Sequence, residues 1–211
     1  MLIVLLGPPG VGKGTQGERL ARALAVPKIA TGDVLRDAVK AGTKMGLAAQ
    51  AAMARGDLVP DDVILGILRD VFSRPETAKG AVLDGVVRTT AQAEGLRDLL
   101  SSLGRSLDRV LLFEAPAEEL VRRLSGRTTC SSCQTPYSGR EPGTKCDKCG
   151  GTLVRRPDDE PAAVRNRIEV YEKQTAPVIA WYRKHGPHVA AIDAVGKPDE
   201  VGARMHAALH V

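Results

Sequence analysis

The stretch L2-I-V-L-L6-G7-P-P-G-V-G12-K13-G14-T15 decides the fold of this chain. Leu2 to Leu6 is an unbroken apolar run, which reads as a central parallel strand buried on both faces. Gly-Pro-Pro-Gly ends it, and a helix is expected from near Lys13 to about Ala25. Gly7 to Lys13 match G-x-x-x-x-G-K after a strand and before a helix, the setting that gives this pattern meaning. The glycines let backbone N–H groups converge on a phosphate, the helix N-terminus adds partial positive charge, and Lys13 supplies a mobile point charge. The hydroxyl arrives one residue late, at Thr15 after Gly14, so direct ligation of magnesium by it is not expected.

Outward from this loop, further strands are expected at Lys28 to Ala30, Ala81 to Leu83, Arg109 to Phe113 and Val189 to Ile192, with helical stretches between them. Such alternation means a parallel sheet wrapped by helices. Helices are expected over Thr31 to Ala41, with Thr31 or Asp33 as cap, over Met45 to Arg55, and over Asp61 to Ser73 behind Pro60. Residues 31–60 exceed a simple crossover and read as a small substrate-gripping insert. Residues 126–162 form a second insert, left through Asp-Asp-Glu-Pro at 158–161, acidic residues and a proline at a helix start. The core then comprises 1–30, 61–125 and 163–211.

All four cysteines lie in the second insert, as C130-S-S-C133 and C146-D-K-C149 with twelve residues between the pairs. This spacing suits one closed tetrahedral zinc site of structural type. Two disulfides are the alternative, and iron fits the same four thiolates. An insert of about 30 residues is too small to bury a stabilising core, so a metal would replace one. His206 and His210 are one helical turn apart but have no third ligand, and no metal is expected there.

The chain has 211 residues, 43% of them hydrophobic and 26% charged, the make-up of a soluble globular protein. Its net charge of +5 is dispersed, and there are only six aromatic residues, Phe72, Phe113, Tyr137, Tyr171, Trp181 and Tyr182. Stacking platforms for single strands are therefore lacking, and small phosphate esters are the better partners. The opening apolar run is too short for a membrane span and follows no basic segment, so a cytoplasmic protein is expected, with neither membrane nor nucleic-acid partners. Asn166 is the single asparagine, which fits either a GC-rich genome or a hot habitat.

GPPGVGKGTQ, TGDVLR (31–36), DGVVRT (84–89) with Gln92, RLSGR (123–127), RPDD (156–159) and VRNRI (164–168) occur in an order that resembles adenylate kinase in its bacterial form with a long, zinc-bearing lid. The resemblance covers nearly the whole chain. It implies a P-loop nucleoside monophosphate kinase on a five-stranded parallel sheet, a monomer that transfers phosphoryl from Mg-ATP to AMP and gives two ADP. It places ATP on Gly10, Val11, Gly12, Lys13, Gly14, Thr15, Arg123, Arg127 and the backbone of Lys197. AMP falls to Thr31, Arg36, Met53, Asp57, Val59, Gly85, Arg88, Gln92, Arg156 and Arg167. The catalytic set is Lys13, Arg88, Arg123, Arg127, Arg156 and Arg167, with Arg123 over the adenine. Asp33 and Asp84 hold magnesium through water, and Cys130, Cys133, Cys146 and Cys149 hold zinc. Chemistry agrees, because transfer between phosphates needs positioning and charge neutralisation rather than a general base.

Plainer readings stand beside these: Asp33 as a helix cap, Gln92 as an exposed helix residue, Met53 as core. Arg165 and Arg167 point about 200° apart on one helix, so both cannot face one phosphate; the resemblance turns Arg167 inward and leaves Arg165 in solvent. One departure stands out. Adenylate kinases usually read Asp-Gly-Phe-Pro-Arg where this chain has D84-G-V-V-R88, commonly with a cis bond before the proline. A cis bond before Val87 would cost about 3 kcal/mol, so a trans bond is expected. Losing the phenylalanine at 86 is expected to remove an aromatic wall beside the acceptor and to weaken or loosen AMP binding. The rival functions are a kinase for another monophosphate or using GTP, and a nucleic-acid reader built on the cysteine ribbon. The ribbon has only four basic residues, Arg140, Lys145, Lys148 and Arg155, and no Asn-Lys-x-Asp guanine motif occurs.

Overall fold

A computed structural model describes residues 1–209. Its main sheet is built from β1 (Leu2–Leu6), β2 (Lys28–Ala30), β3 (Ala81–Asp84), β4 (Arg109–Glu114) and a fifth strand, β8 (Val189–Asp193), all parallel in the order β2-β3-β1-β4-β8. Every residue of β1 is buried, as an apolar run in mid-sheet requires. Alternate side chains feed two cores. Leu2, Val4 and Leu6 pack with Leu68, Leu96 and Tyr182, whereas Ile3 and Leu5 pack with Leu20, Val201 and Met205.

Helices cover both faces. They are α1 (Lys13–Leu24), α2 (Thr31–Lys40), α3 (Lys44–Arg55), α4 (Asp61–Phe72), α5 (Thr90–Ser102), α6 (Ala117–Ser125), α7 (Pro161–Val170), α8 (Ala176–His185) and α9 (Pro198–Leu209). The expected strands and helices are all present, with ends shifted by one residue or so. Between α7 and α8 the helix widens into a π-turn at Tyr171–Thr175, just before Pro177, which has no N–H to continue the regular ladder.

The capping expectation for α2 is corrected. Ala30 occupies the cap position without a side-chain bond, Thr31 donates its hydroxyl to the Gly85 carbonyl at 2.8 Å, and Asp33 pairs with Arg36. The side chains that could have closed the helix end tie it to neighbouring elements instead. In α3 the cap is Thr43, whose Oγ1 accepts from Gly46 N at 3.1 Å.

Residues 126–162 hold a second, antiparallel sheet that the sequence did not foretell: β5 (Arg127–Cys130), β6 (Pro136–Ser138) and β7 (Leu153–Val154), in the order β6-β5-β7. Its strands are two to four residues long, too short to leave a periodic signal. Asp158 and Asp159 are not the first turn of a helix, as expected, but belong to a short 3-10 turn at Pro157–Asp159 ahead of Pro161.

Gly46 lets α3 cross α2 closely: a Cβ there would sit 2.2 Å from the Ala38 carbonyl. Gly46→Ala is expected to cost about 1–3 kcal/mol by overpacking. Hydrogen exchange should show the loss first in residues 31–55, with the main sheet still protected.

Candidate active site

The carboxyl ends of β1, β2 and β3 open into one cleft of about 690 Å³. This is the edge where open α/β sheets bind ligands. β1 leads into the glycine-rich loop, where Gly10 and Gly12 take φ of 83° and 100°, conformations that L side chains rarely adopt. A Cβ on Gly10 would also lie 2.8 Å from Leu124 Cγ. Helix α1 starts at Lys13 without a side-chain cap, so its first N–H groups stay directed at the loop. Lys13 Nζ donates to the Gly7 and Pro8 carbonyls at 2.7 and 2.9 Å. Asp84, paired in register with Leu5, lies opposite: a Cβ on Gly14 would be 3.4 Å from its Oδ2.

Each nucleotide-site residue expected from the sequence lines this cleft, except Lys197. Lys197 lies outside it, and its carbonyl accepts from Val201 N at 3.1 Å to open α9. Gln16 ties the neighbouring loop down through a 2.7 Å bond from Nε2 to the Pro198 carbonyl. Arg123 crosses the mouth from α6, donating to Glu119, to the Val11 carbonyl at 3.3 Å and to the Ala194 carbonyl at 2.9 Å.

Arginines from separate segments converge here and divide into two sets. Arg127 makes a two-pronged pair with Asp159, whose side chain is 0% exposed, and Arg167 Nη1 reaches the same carboxylate at 3.1 Å and Asp158 at 2.9 Å. Arg36 pairs with Asp33. By contrast, Lys13, Arg88 and Arg156 have no carboxylate within ion-pair distance among the described residues, and Arg156 Nε is buried without a hydrogen-bond partner. Burial lowers the pKa of all three, taking Lys13 to about 8 and Arg156 to about 10, with neighbouring arginines adding to the effect. Three partly buried cations without a carboxylate partner, beside a glycine loop and a helix N-terminus, concentrate positive charge in a form suited to a polyanion.

The adenylate kinase family profile matches residues 5–187. An adenylate kinase of Gemmatimonas aurantiaca is 64% identical, with all of both chains covered. That of Syntrophobacter fumaroxidans is 46% identical over 99% of this chain and 100% of its own. That of Thermodesulfovibrio yellowstonii is 45% identical over 95% of each. The chain belongs to the adenylate kinase family. It is accordingly a nucleoside monophosphate kinase, an ATP:AMP phosphotransferase, on a P-loop fold.

Several expectations within the adenylate kinase motifs change. Gln92 is not an exposed helix residue: it is 1% exposed, accepts from Arg88 N at 2.7 Å and donates to Asp61 at 2.7 Å. It therefore braces the loop that carries Arg88, whose carbonyl also receives the Thr175 hydroxyl from the π-turn. No peptide bond among the described residues is cis, so the bond before Val87 is trans as expected. Val86 is no cleft wall; its side chain is 0% exposed within the core, and Val87 is the one beside the cleft. A phenylalanine at 86 would face the core in this backbone. Arg165 is exposed while Arg167 faces the cleft, as the helix geometry demands.

The four thiols lie within 4.8 Å of one another, with Cys130–Cys149 at 3.5 Å and Cys133–Cys146 at 3.6 Å between sulfurs. None is in a disulfide, which removes that alternative. Four sulfurs around one zinc at 2.3 Å stand about 3.8 Å apart, so the cluster fits such an ion. Ser132 N and Cys133 N turn toward Cys130 Sγ at 3.4 and 3.5 Å, and the Tyr137 hydroxyl lies 3.2 Å from Cys146 Sγ, pulling that thiol down to about 6. His206 is exposed on α9, and His210 lies outside the described residues. No helix among the described residues is long and apolar enough to cross a membrane.

Sequence reading missed Asp158, Asp159 and Gln134 in this site. The two aspartates had a signal: so many arginines in one cleft need counter-charges, and RPDD supplies them between Arg127 and Arg167.

Lys13 carries a pH signature. Its pKa falls from 10.5 to about 8 through burial, opposed by Asp84 and helped by Arg88, Arg167 and Arg127. Between those values the folded chain holds it neutral while the unfolded chain protonates it, so this lysine costs stability in full below about 8 and nothing above 10.5. A bound polyphosphate restores the charge. ATP binding near pH 9 is therefore expected to take up protons, seen by calorimetry in buffers of different ionisation enthalpy, and Lys13→Met should abolish that uptake.

Proposed function

We propose that the protein transfers the terminal phosphoryl group of ATP to AMP reversibly, giving two ADP, with magnesium accompanying ATP. The observation that carries this reading is the set Lys13, Arg88 and Arg156, partly buried cations without carboxylate partners that approach one cleft from the loop, from the segment after β3 and from the second insert. ATP would lie on Gly10 to Thr15 with its base near Arg123, and AMP on α2, α3 and the Gly85–Gln92 segment. Lys13, Arg123 and Arg127 would hold phosphates on the donor side, Arg36 and Arg88 on the acceptor side, and Arg156 and Arg167 would lie between the two, so that ammonium and guanidinium groups meet charge as it spreads over the moving group. The attacking phosphate oxygen is already ionised near neutral pH, so no general base is required.

Asp84, which has no ion-pair partner among the described residues, and Asp33 are the carboxylates suited to hold magnesium through water, and the ion would neutralise charge on the donor phosphates. Asp33 would have to share itself with Arg36 and Lys28. The four thiols would hold one zinc as a structural tie that lets residues 126–162 move as one rigid lid over ATP and exclude water. Residues 31–60 would act as the second mobile unit.

A wider choice of acceptor has one observation in its favour. Thr31 and Gln92, the side chains that would read the base, already spend hydrogen bonds on Gly85, Arg88 and Asp61. A coupled assay with ATP, magnesium and a panel of monophosphates decides: turnover with AMP well above the others supports the proposal, and a preference for another monophosphate rejects it.

Arg88→Ala is expected to lower turnover by about 100-fold or more, as loss of one charge-stabilising donor does, while Arg165→Ala stays near wild type. Equal losses in both would contradict the assignment of faces on α7. Metal analysis of protein purified under reducing conditions without chelators should find one zinc per chain. Removing it should release exchange protection in residues 126–162 before the sheet.

A further inference from the structure

Gln134 directly follows the Cys130–Cys133 pair, and it holds a φ of 58°, in the left-handed region that disfavours side chains with a Cβ. Its side chain extends across the cleft to α2. Oε1 accepts from Arg36 Nε at 2.8 Å, and Nε2 donates to Asp37 Oδ1 at 2.7 Å and to the Asp33 carbonyl at 3.3 Å. Lys40 Nζ reaches the Ser131 carbonyl beside it at 3.3 Å. These bonds join residues 91 to 101 positions apart, from the second insert to the first.

We propose that Gln134 is a positioning residue for the acceptor nucleotide: from the closed lid it holds Arg36 in the orientation that receives the acceptor phosphate. This rests on the function proposed above. Arg36 has a long side chain whose free rotation would have to be frozen on binding. In the structure Gln134 takes its Nε and Asp33 takes Nη2, while Nη1 makes no hydrogen bond with the protein among the described residues. The guanidinium is thus oriented by its far edge, with donors left over for a phosphate. A neutral amide suits this task, because it accepts from Arg36 and donates to Asp37 without adding charge. The arrangement also links the two inserts: whatever closes the lid orders Arg36, and by reciprocity an acceptor that uses Arg36 favours the closed lid.

Two variants test it, each assayed as the full chain with its zinc content checked. Q134G relieves the backbone conformation and deletes the side chain, and Q134M keeps the length without the hydrogen bonds. The dissociation constant for AMP, measured by calorimetry, and the KM for AMP are expected to rise about fivefold in both, as loss of a hydrogen bond to a charged group predicts. The KM for ATP should stay within about twofold, since the donor loop is untouched. Hydrogen exchange in residues 31–40 of the nucleotide-free protein should quicken in both variants. AMP affinity that is unchanged or improved in either variant overturns the proposal. So does a parallel rise for ATP, or unaltered exchange in 31–40. If the wild-type protein failed to phosphorylate AMP, the proposed function would fall, while AMP affinity and exchange would still judge Gln134 separately.

Discussion

Gathering positive charge in a dehydrated cleft is the constraint on which the rest of this structure depends. Seven arginines with Lys13 and Lys28 line one space, and each costs free energy as far as it leaves water unless an opposite charge or hydrogen-bond acceptor meets it. Asp159 meets two of them, Arg127 and Arg167, and Asp158 and Asp33 serve Arg167 and Arg36. The cations left over, Lys13, Arg88 and Arg156, are held at a helix N-terminus, on a loop braced by Gln92 and Thr175, and at the start of the 3-10 turn Pro157–Asp159. Preorganised in this way, they need little rearrangement when phosphate arrives, and preorganisation is what makes electrostatic stabilisation effective in phosphoryl transfer.

The same constraint would favour a site assembled from several chain segments that can move apart. A closed shell of cations around phosphates excludes water, yet substrates must enter and products leave. The main sheet fixes the loop, Asp84 and Arg88 through parallel pairing of β1 with β3 and β4. Arg123 and Arg167 sit on the helices α6 and α7, while Arg36, Arg127 and Arg156 sit on the two small inserts. Such units cannot bury much apolar surface, and the lid's core consists of little beyond Cys130, Cys146 and Leu153 with Cys133 and Tyr137 against it. A metal ion held by the four clustered sulfurs would give that unit a stiffness its own packing cannot supply.

Much of this was legible along the chain. The buried run of β1, the glycine loop, the alternation of strands with helices and the paired C-x-x-C spacing each depend on residues close in sequence, where steric and periodic rules act directly. Helix geometry put Arg165 and Arg167 on different faces and the family resemblance said which turns inward, while the cost of a cis form gave the trans bond before Val87. Their outcomes agree because backbone geometry over a few residues is set locally.

What the chain alone could not decide was which partner each polar side chain would choose. Thr31 looked like a cap and bonds Gly85; Gln92 looked exposed and is buried on Arg88 and Asp61; position 86, expected beside the acceptor, packs in the core. The decisive bonds join residues far apart, 32 positions for Arg127 with Asp159 and 98 for Arg36 with Gln134. A hydrogen bond or ion pair is a matter of distance in space, and only the packing of the sheet, its helices and the two inserts sets those distances. The sequence determined the elements and the chemistry they carry, while the tertiary structure determined which charges are already spent and which remain for a ligand.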